Sequence, residues 1–213
     1  MHYYLDLKML PEHDMTLFQV WSHVFMQVHL ALVEQKDTHD QVAIGVSFPD
    51  YVCNLSYVRL GSKLRLFAKT EAELQQLNLS KWLDGLSDYV HISRCHPVPI
   101  EHIKGYVIVR RYHPKASAHR LTTRYARRKK IDDLAVAKNQ QIEEYALRYG
   151  IDKAEALRQF NTIANTNFPY IHMKSLSSGH SLCVCIEQQN VSKVQQGMFS
   201  TYGLSTGATV PYW

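Results

Sequence analysis

The chain has 213 residues, 46% of them hydrophobic and 20% charged, a globular composition that excludes a disordered tail binder. No stretch approaches the roughly 18 apolar residues that span a bilayer, and the first residues form a strand-like pattern with no basic-then-apolar leader, so a soluble, cytoplasmic protein is expected. The net charge of +5 is unevenly placed: His102 to Ile131 holds ten Lys and Arg and no acidic residue, so all 19 Asp and Glu lie outside it and the rest of the chain is net negative.

In chain order, His2–Leu10 alternates as a strand and Thr16–Gln35 has the spacing of a long amphipathic helix. Val42–Phe48 and Lys63–Lys69 read as strands. Thr70 and Glu73 have the spacing of a capping box, opening a helix to about Asp84 that Gly85 stops. Tyr89–Arg94 is a further strand, ended by Pro97 and Pro99. The order β-α-β-β-α-β is that of a ferredoxin-like domain, which speaks to fold and not to function. Gly105–Tyr112 reads as a strand broken by His113-Pro114, and a basic helix begins near Ser117. Asn139–Arg148 and Asp152–Phe160 read as short helices separated by Gly150. Tyr170–Ser175 and Leu182–Glu187 read as strands around a Ser177-Ser178-Gly179 turn, followed by short extended pieces at Gly197–Leu204 and Thr209–Trp213. The expected fold class is α+β. The break at Pro97-Val98-Pro99 predicts a ferredoxin-like domain over residues 1–100 and an α/β domain with the basic helix over 101–213.

Arg120, Arg124, Arg127 and Arg128 fall within an arc of about 100° on a helix. Charge runs are usually solvated faces, but ordinary exposed helices mix signs at i±4, and this one has no acidic partner of its own. Arginine forks suit phosphate oxygens and guanine edges, so the stripe favours a nucleic acid, DNA or RNA. In the first helix Trp21, Phe25, Val28 and Leu32 form the apolar stripe. His29 lies roughly 80° round from Trp21, at the edge of the buried face, where an imidazole can exchange a proton near neutral pH; the chain has twelve histidines, and most such residues are simply packed. Ser175 and Ser177, two apart beside a turn, could share a face and hold one hydroxyl or phosphate, although turn chemistry alone accounts for them. Cys183 and Cys185 lie two apart in an apolar run and read as buried small residues, since zinc sites use other spacings. No metal motif or paired-carboxylate constellation stands out, so a nuclease built on this chain would use acid–base chemistry on RNA, with the 2′-hydroxyl as nucleophile.

Six segments in this order resemble the type I-F CRISPR repeat-processing endoribonucleases, the Csy member of the Cas six family: Tyr3-Tyr4-Leu5-Asp6-Leu7, Val28-His29-Leu30-Ala31-Leu32-Val33, Ile44-Gly45-Val46-Ser47-Phe48-Pro49, Arg120 to Arg128, Ser175-Leu176-Ser177-Ser178-Gly179, and Tyr202-Gly203-Leu204-Ser205-Thr206-Gly207. The resemblance implies metal- and cofactor-independent cleavage of precursor RNA at the base of the repeat hairpin, leaving a 2′,3′-cyclic phosphate. In it His29 is the general base, Ser175 holds the attacking 2′-hydroxyl with support from Ser177, and Tyr202 orients the histidine. Arg120, Arg124, Arg127 and Arg128 contact phosphates from the hairpin's major groove. Arg111 and His113 read base edges near the foot of the stem, with Arg110 and Lys115 also on the RNA, and Leu182 covers the terminal base pair. The implied partners are the repeat hairpin, as precursor and as mature guide RNA, and the backbone, large and small subunits of a type I-F surveillance complex, with a transposition adaptor protein in transposon-encoded systems. Two positions depart from the family pattern. His113 replaces a glutamine, so its hydrogen bonding changes with tautomer, and Leu182 replaces an aromatic residue, so it offers no π-face. The competing reading is a non-catalytic RNA-hairpin-binding subunit of the same architecture.

Overall fold

The computed structural model describes residues 1–54, 57–113, 118–164, 168–174 and 179–213; Lys115, Ser175 and Ser177 lie outside the described residues. The elements are β1 (Tyr3–Met9), α1 (Leu17–Glu34), β2 (Gln41–Val42), β3 (Gly45–Ser47), β4 (Val52–Cys53), β5 (Val58–Arg59), β6 (Lys63–Ala68), α2 (Glu71–Gln76), α3 (Leu79–Trp82), β7 (Val90–Ile92), β8 (His96–Pro97), β9 (Gly105–Tyr112), α4 (Ala118–Lys129), α5 (Leu134–Tyr149), α6 (Lys153–Ala164), β10 (Tyr170–Lys174), β11 (Ser181–Val191), β12 (Phe199–Ser200) and β13 (Val210–Tyr212). This is a mixed α+β fold with antiparallel sheets. It divides into two compact units, Met1–Tyr112 with Phe168–Trp213, and His113–Asn167.

In the first unit one sheet has the order β3-β6-β1-β7, with β8 also paired to β1, and a second has the order β10-β11-β9-β13. Alternation sends Leu5, Leu7, Leu64 and Leu66 of the first sheet and Val107, Val109, Val184 and Ile186 of the second into one core with Val24, Phe25, Val28 and Leu32 of α1. That shared core explains why the break expected near residue 100 falls inside the first unit. Pro97 pairs with Tyr3, and the Val98 amide donates to the His2 carbonyl at 2.8 Å, so this proline-rich stretch is sheet edge and not linker. Arg65, only 8% exposed, is held bidentately by Asp6 at 2.7 and 3.0 Å and sits against the rings of both Tyr4 and Trp213, which meets the requirement that a buried guanidinium be paired.

Local signals set several boundaries. Thr16 precedes α1, and the Gln19 side chain accepts from its amide at 2.9 Å. Thr70 and Glu73 form a reciprocal capping box at the start of α2. The helix expected to reach Asp84 is interrupted at Asn78, which adopts a left-handed conformation (φ 45°). The strand expected over Val42–Phe48 is two strands with different partners: β2 pairs β12, and β3 pairs β6. The cysteines correct another expectation. On β11, Val184 and Ile186 face the core, which leaves Cys183 exposed and Cys185 only half-buried.

In the second unit α5 is capped by Asp133, whose side chain accepts from the amides of Ala135 and Val136, and ends at Gly150 in the left-handed region (φ 64°). Its buried apolar groups form two small clusters, one of Ile142, Ala146 and Ala156 and one of Tyr125, Ala126 and Ala137. Among the described residues no helix is long and apolar enough to cross a membrane.

Candidate active site

His29 stands one helical turn beyond Phe25 on α1, at the margin of the buried stripe. Trp21 anchors the N-terminal half of that stripe by donating its indole N–H to the Gly61 carbonyl at 2.8 Å. The His29 ring is half-buried, and its Nδ1 lies 2.8 Å from the Thr201 carbonyl oxygen. A carbonyl can only accept, so Nδ1 carries the proton and Nε2 of the neutral ring keeps its lone pair. Tyr202 stacks on the imidazole, with centroids 4.1 Å apart and planes 6° from parallel, and its ring also lies 6.3 Å from that of Phe25, 15° from parallel. Burial pushes the His29 pKa below the ordinary histidine value, and the bond to Thr201 partly opposes that shift. The ring is thus held in one orientation, in one tautomer, and in the neutral form at neutral pH.

The segment that fixes it is a tight turn after β12. The Gly203 amide donates to the Ser200 carbonyl at 2.7 Å, the Ser200 amide to Leu204 at 2.8 Å, and the Val46 amide to Gly203 at 2.9 Å. Gly203 has φ +69°, and a Cβ there would lie 2.5 Å from Val46 Cγ1, so both the backbone conformation and the close approach to β3 require glycine. Pairing of β12 with β2 brings this turn back to the strand that follows α1. Beside it opens a cleft of about 550 Å³, lined by Arg110, Arg111, Tyr202 and Ser205 among others.

Arg110 and Arg111 fall on opposite faces of β9 by alternation. Arg110 is exposed and bound to Glu187. The Nε of Arg111 is buried with no partner among the described residues. His113 is exposed immediately after β9. Leu182 is half-buried at the margin of the main core. In the second unit Thr122, Tyr125 and Ala126 of α4 are buried, while Arg120, Arg124, Arg127 and Arg128 are all exposed. The run is not wholly uncompensated: Lys129 Nζ lies 2.8 Å from Glu144 of α5, and the guanidinium of Arg128 sits over the Tyr125 ring. Among the described residues no group of three or more His, Cys, Asp or Glu side chains is placed to hold a metal ion.

Sequence reasoning missed Thr201 and Glu187. Thr201 acts through its backbone carbonyl, which no side-chain pattern can signal. Glu187 had only its place opposite the basic strand to recommend it.

The first unit thus holds a half-buried histidine with one nitrogen bonded to a backbone carbonyl, and α4 of the second carries a face of outward arginines. Residues 4–213 match the family model described as "CRISPR-associated protein (Cas_Csy4)", and the chain belongs to that family. It is 33% identical, over the full length of both chains, to the CRISPR-associated endonuclease Cas6/Csy4 of Escherichia coli (strain UTI89 / UPEC). It is 31% identical, again over both full lengths, to the CRISPR-associated endonuclease Cas6/Csy4 of Pseudomonas aeruginosa (strain UCBPP-PA14).

Proposed function

We propose that this protein is a type I-F CRISPR repeat-processing endoribonuclease that cleaves precursor RNA at the base of the repeat hairpin and stays on the 3′ hairpin of the guide RNA in a surveillance complex. The observation that carries the chemistry is the His29 arrangement, with Nδ1 bound to the Thr201 carbonyl and the ring stacked on Tyr202. Nε2 takes the proton of the 2′-hydroxyl beside the scissile phosphate. The 2′ oxygen bonds to phosphorus, the bond to the 5′ oxygen breaks, and that oxygen takes a proton from solvent water, to which the His29 imidazolium gives up its own. The products are a 2′,3′-cyclic phosphate and a 5′-hydroxyl, and no step is routed through a metal. Ser175 holds the attacking hydroxyl, with Ser177 in support. Tyr202 is a positioning residue, since its ring restricts the imidazole.

The arginine face of α4 grips the stem from its major groove. Arg111 and His113 read base edges near the stem's foot with Arg110 and Lys115 nearby, and Leu182 covers the terminal pair. The β3-β6-β1-β7 order, with α1 and α2 in the two crossovers, supports a ferredoxin-like frame for the histidine.

Incubating a repeat hairpin with the protein in EDTA tests this reading. Cleavage to a cyclic phosphate is expected. A 2′-deoxy substitution at the scissile nucleotide should leave binding intact and abolish cutting, and His29→Ala should leave binding intact and slow cutting by about 10²- to 10⁴-fold. Cutting by His29→Ala at the unmodified rate would remove the histidine from the mechanism, and binding without cutting by the unmodified protein would favour the non-catalytic hairpin-binding subunit.

A further inference from the structure

Arg110 and Glu187 are directly opposed in the β9–β11 register. The Arg110 Nε donates to Glu187 Oε2 at 2.6 Å. The two partners are unequally exposed: the Glu187 side chain is 22% exposed and that of Arg110 52%. The strand beneath the carboxylate is pinned, because the Tyr51 hydroxyl donates to the adjacent Ile186 carbonyl at 3.1 Å. The pair is therefore a fixed acid carrying a directed guanidinium. With Nε committed and no Nη bond among the described residues, the Nη groups remain for the cleft that Arg110 lines together with Tyr202, the ring stacked on His29.

Charge and direction separate two uses of such a group. An unpaired exposed arginine is drawn to any phosphate, and the attraction is blind to sequence. An arginine neutralised by a fixed carboxylate loses most of that pull, and the carboxylate itself repels phosphate. What remains is a set of donors at a set angle, which suits the acceptor atoms of a nucleobase edge. Placing an acid in a polyanion-binding cleft weakens general affinity and improves discrimination.

Resting on the hairpin reading above, we propose that Glu187 is a specificity-determining positioning residue: it holds Arg110 for a base edge next to the cleavage site and keeps it off the phosphates. The probes are the repeat hairpin, versions with altered base pairs at the foot of the stem, and an unrelated hairpin, each titrated at several salt concentrations. Glu187→Gln keeps the shape and removes the charge. It should raise affinity for the unrelated hairpin and steepen the slope of log affinity against log salt by about 0.7 to 0.9 as Arg110 gains a phosphate. It should also reduce discrimination among the foot variants by at least about fivefold.

In an Arg110→Ala background the same substitution should change neither slope nor discrimination, a result that a merely structural role of Glu187 would not give. An unchanged slope and unchanged discrimination in Glu187→Gln overturn the proposal, as does an equal effect in the Arg110→Ala background. If the unmodified protein shows no preference for the repeat hairpin over the unrelated one, the hairpin reading falls and this proposal with it. A preference that survives Glu187→Gln unchanged removes this proposal alone.

Discussion

Helices α1 and α4 are both amphipathic, and they present their polar groups in opposite ways. On α1 the His29 ring sits at the edge of the buried stripe, half-covered, bonded at one nitrogen and stacked on one face. On α4 the four arginines stand fully on the outer face, above a thin layer of Thr122, Tyr125 and Ala126. The supporting cores differ to match. Behind α1 lies a continuous core in which Phe25, Val28 and Leu32 are completely buried, whereas α4 rests on two small clusters rich in alanine. Proton transfer needs a group fixed to a fraction of an ångström, and that requires packing from several elements. Gripping a charged backbone needs charge at the surface, and flexible side chains suffice.

The contrast predicts that damage near α1 affects rate and stability, while damage on α4 affects affinity and its salt dependence. The largest effect should come from His29→Ala, which lowers the single-turnover cleavage rate at saturating protein by about 10²- to 10⁴-fold with little change in binding. A loss of affinity instead would erase the distinction between the helices. Gly203→Ala is expected to cost roughly 1–3 kcal/mol of stability, because the new methyl meets Val46 and the left-handed backbone is strained. Urea titration would measure it, and cleavage should fall with the loosening of Tyr202.

Arg124→Ala should weaken hairpin binding roughly tenfold and make the salt slope shallower by about 0.7 to 0.9, leaving the cleavage rate of saturated substrate unchanged. Acid pH provides a subtler test. Since burial lowers the His29 pKa, the base stays competent below the ordinary value of about 6.5. The unfolded ring binds a proton below about 6.5 that the folded ring resists, so stability from this site is complete above that pH. It declines as pH falls from there toward the folded pKa. Comparing the unmodified protein with His29→Gln between about pH 7.5 and 5 should show that extra decline only in the former. The smallest effect belongs to Lys129→Ala: its ammonium already faces Glu144, so the salt slope should shift less than in Arg124→Ala.

Much of this contrast was legible in the residues. The α1 stripe, the position of His29 at its edge, the capping box at Thr70 and the outward arc of arginines all follow from helical spacing, and each takes that place in the fold. Strands were harder, because alternation shows which residues share a face and not which face is buried. On β11 the stretch Leu182–Ile186 is apolar in both alternating sets, so its pattern does not separate Cys183 and Cys185 from Val184 and Ile186, which take the core. The split of residues 41–47 between two sheets and the core that β1 and β6 share with β9 and β11 depend on pairings far apart in sequence. So does the lock on His29, since a backbone carbonyl carries no residue signature. The proposed roles of His29 as base and Tyr202 as its orienting ring rest on family resemblance, beside which the geometry sets a tautomer and a stacking distance.

The hydrogen bond that locks His29 joins residues 172 positions apart. During translation at about 5–20 residues per second, roughly 10 to 35 seconds separate the appearance of the imidazole from that of its lock. Throughout that interval the nascent chain on the ribosome displays the histidine without Thr201 or Tyr202 to hold it. A ribosome-bound fragment that stops short of the β12 turn therefore carries the proposed base but not its orientation, so cutting activity should arise late in synthesis.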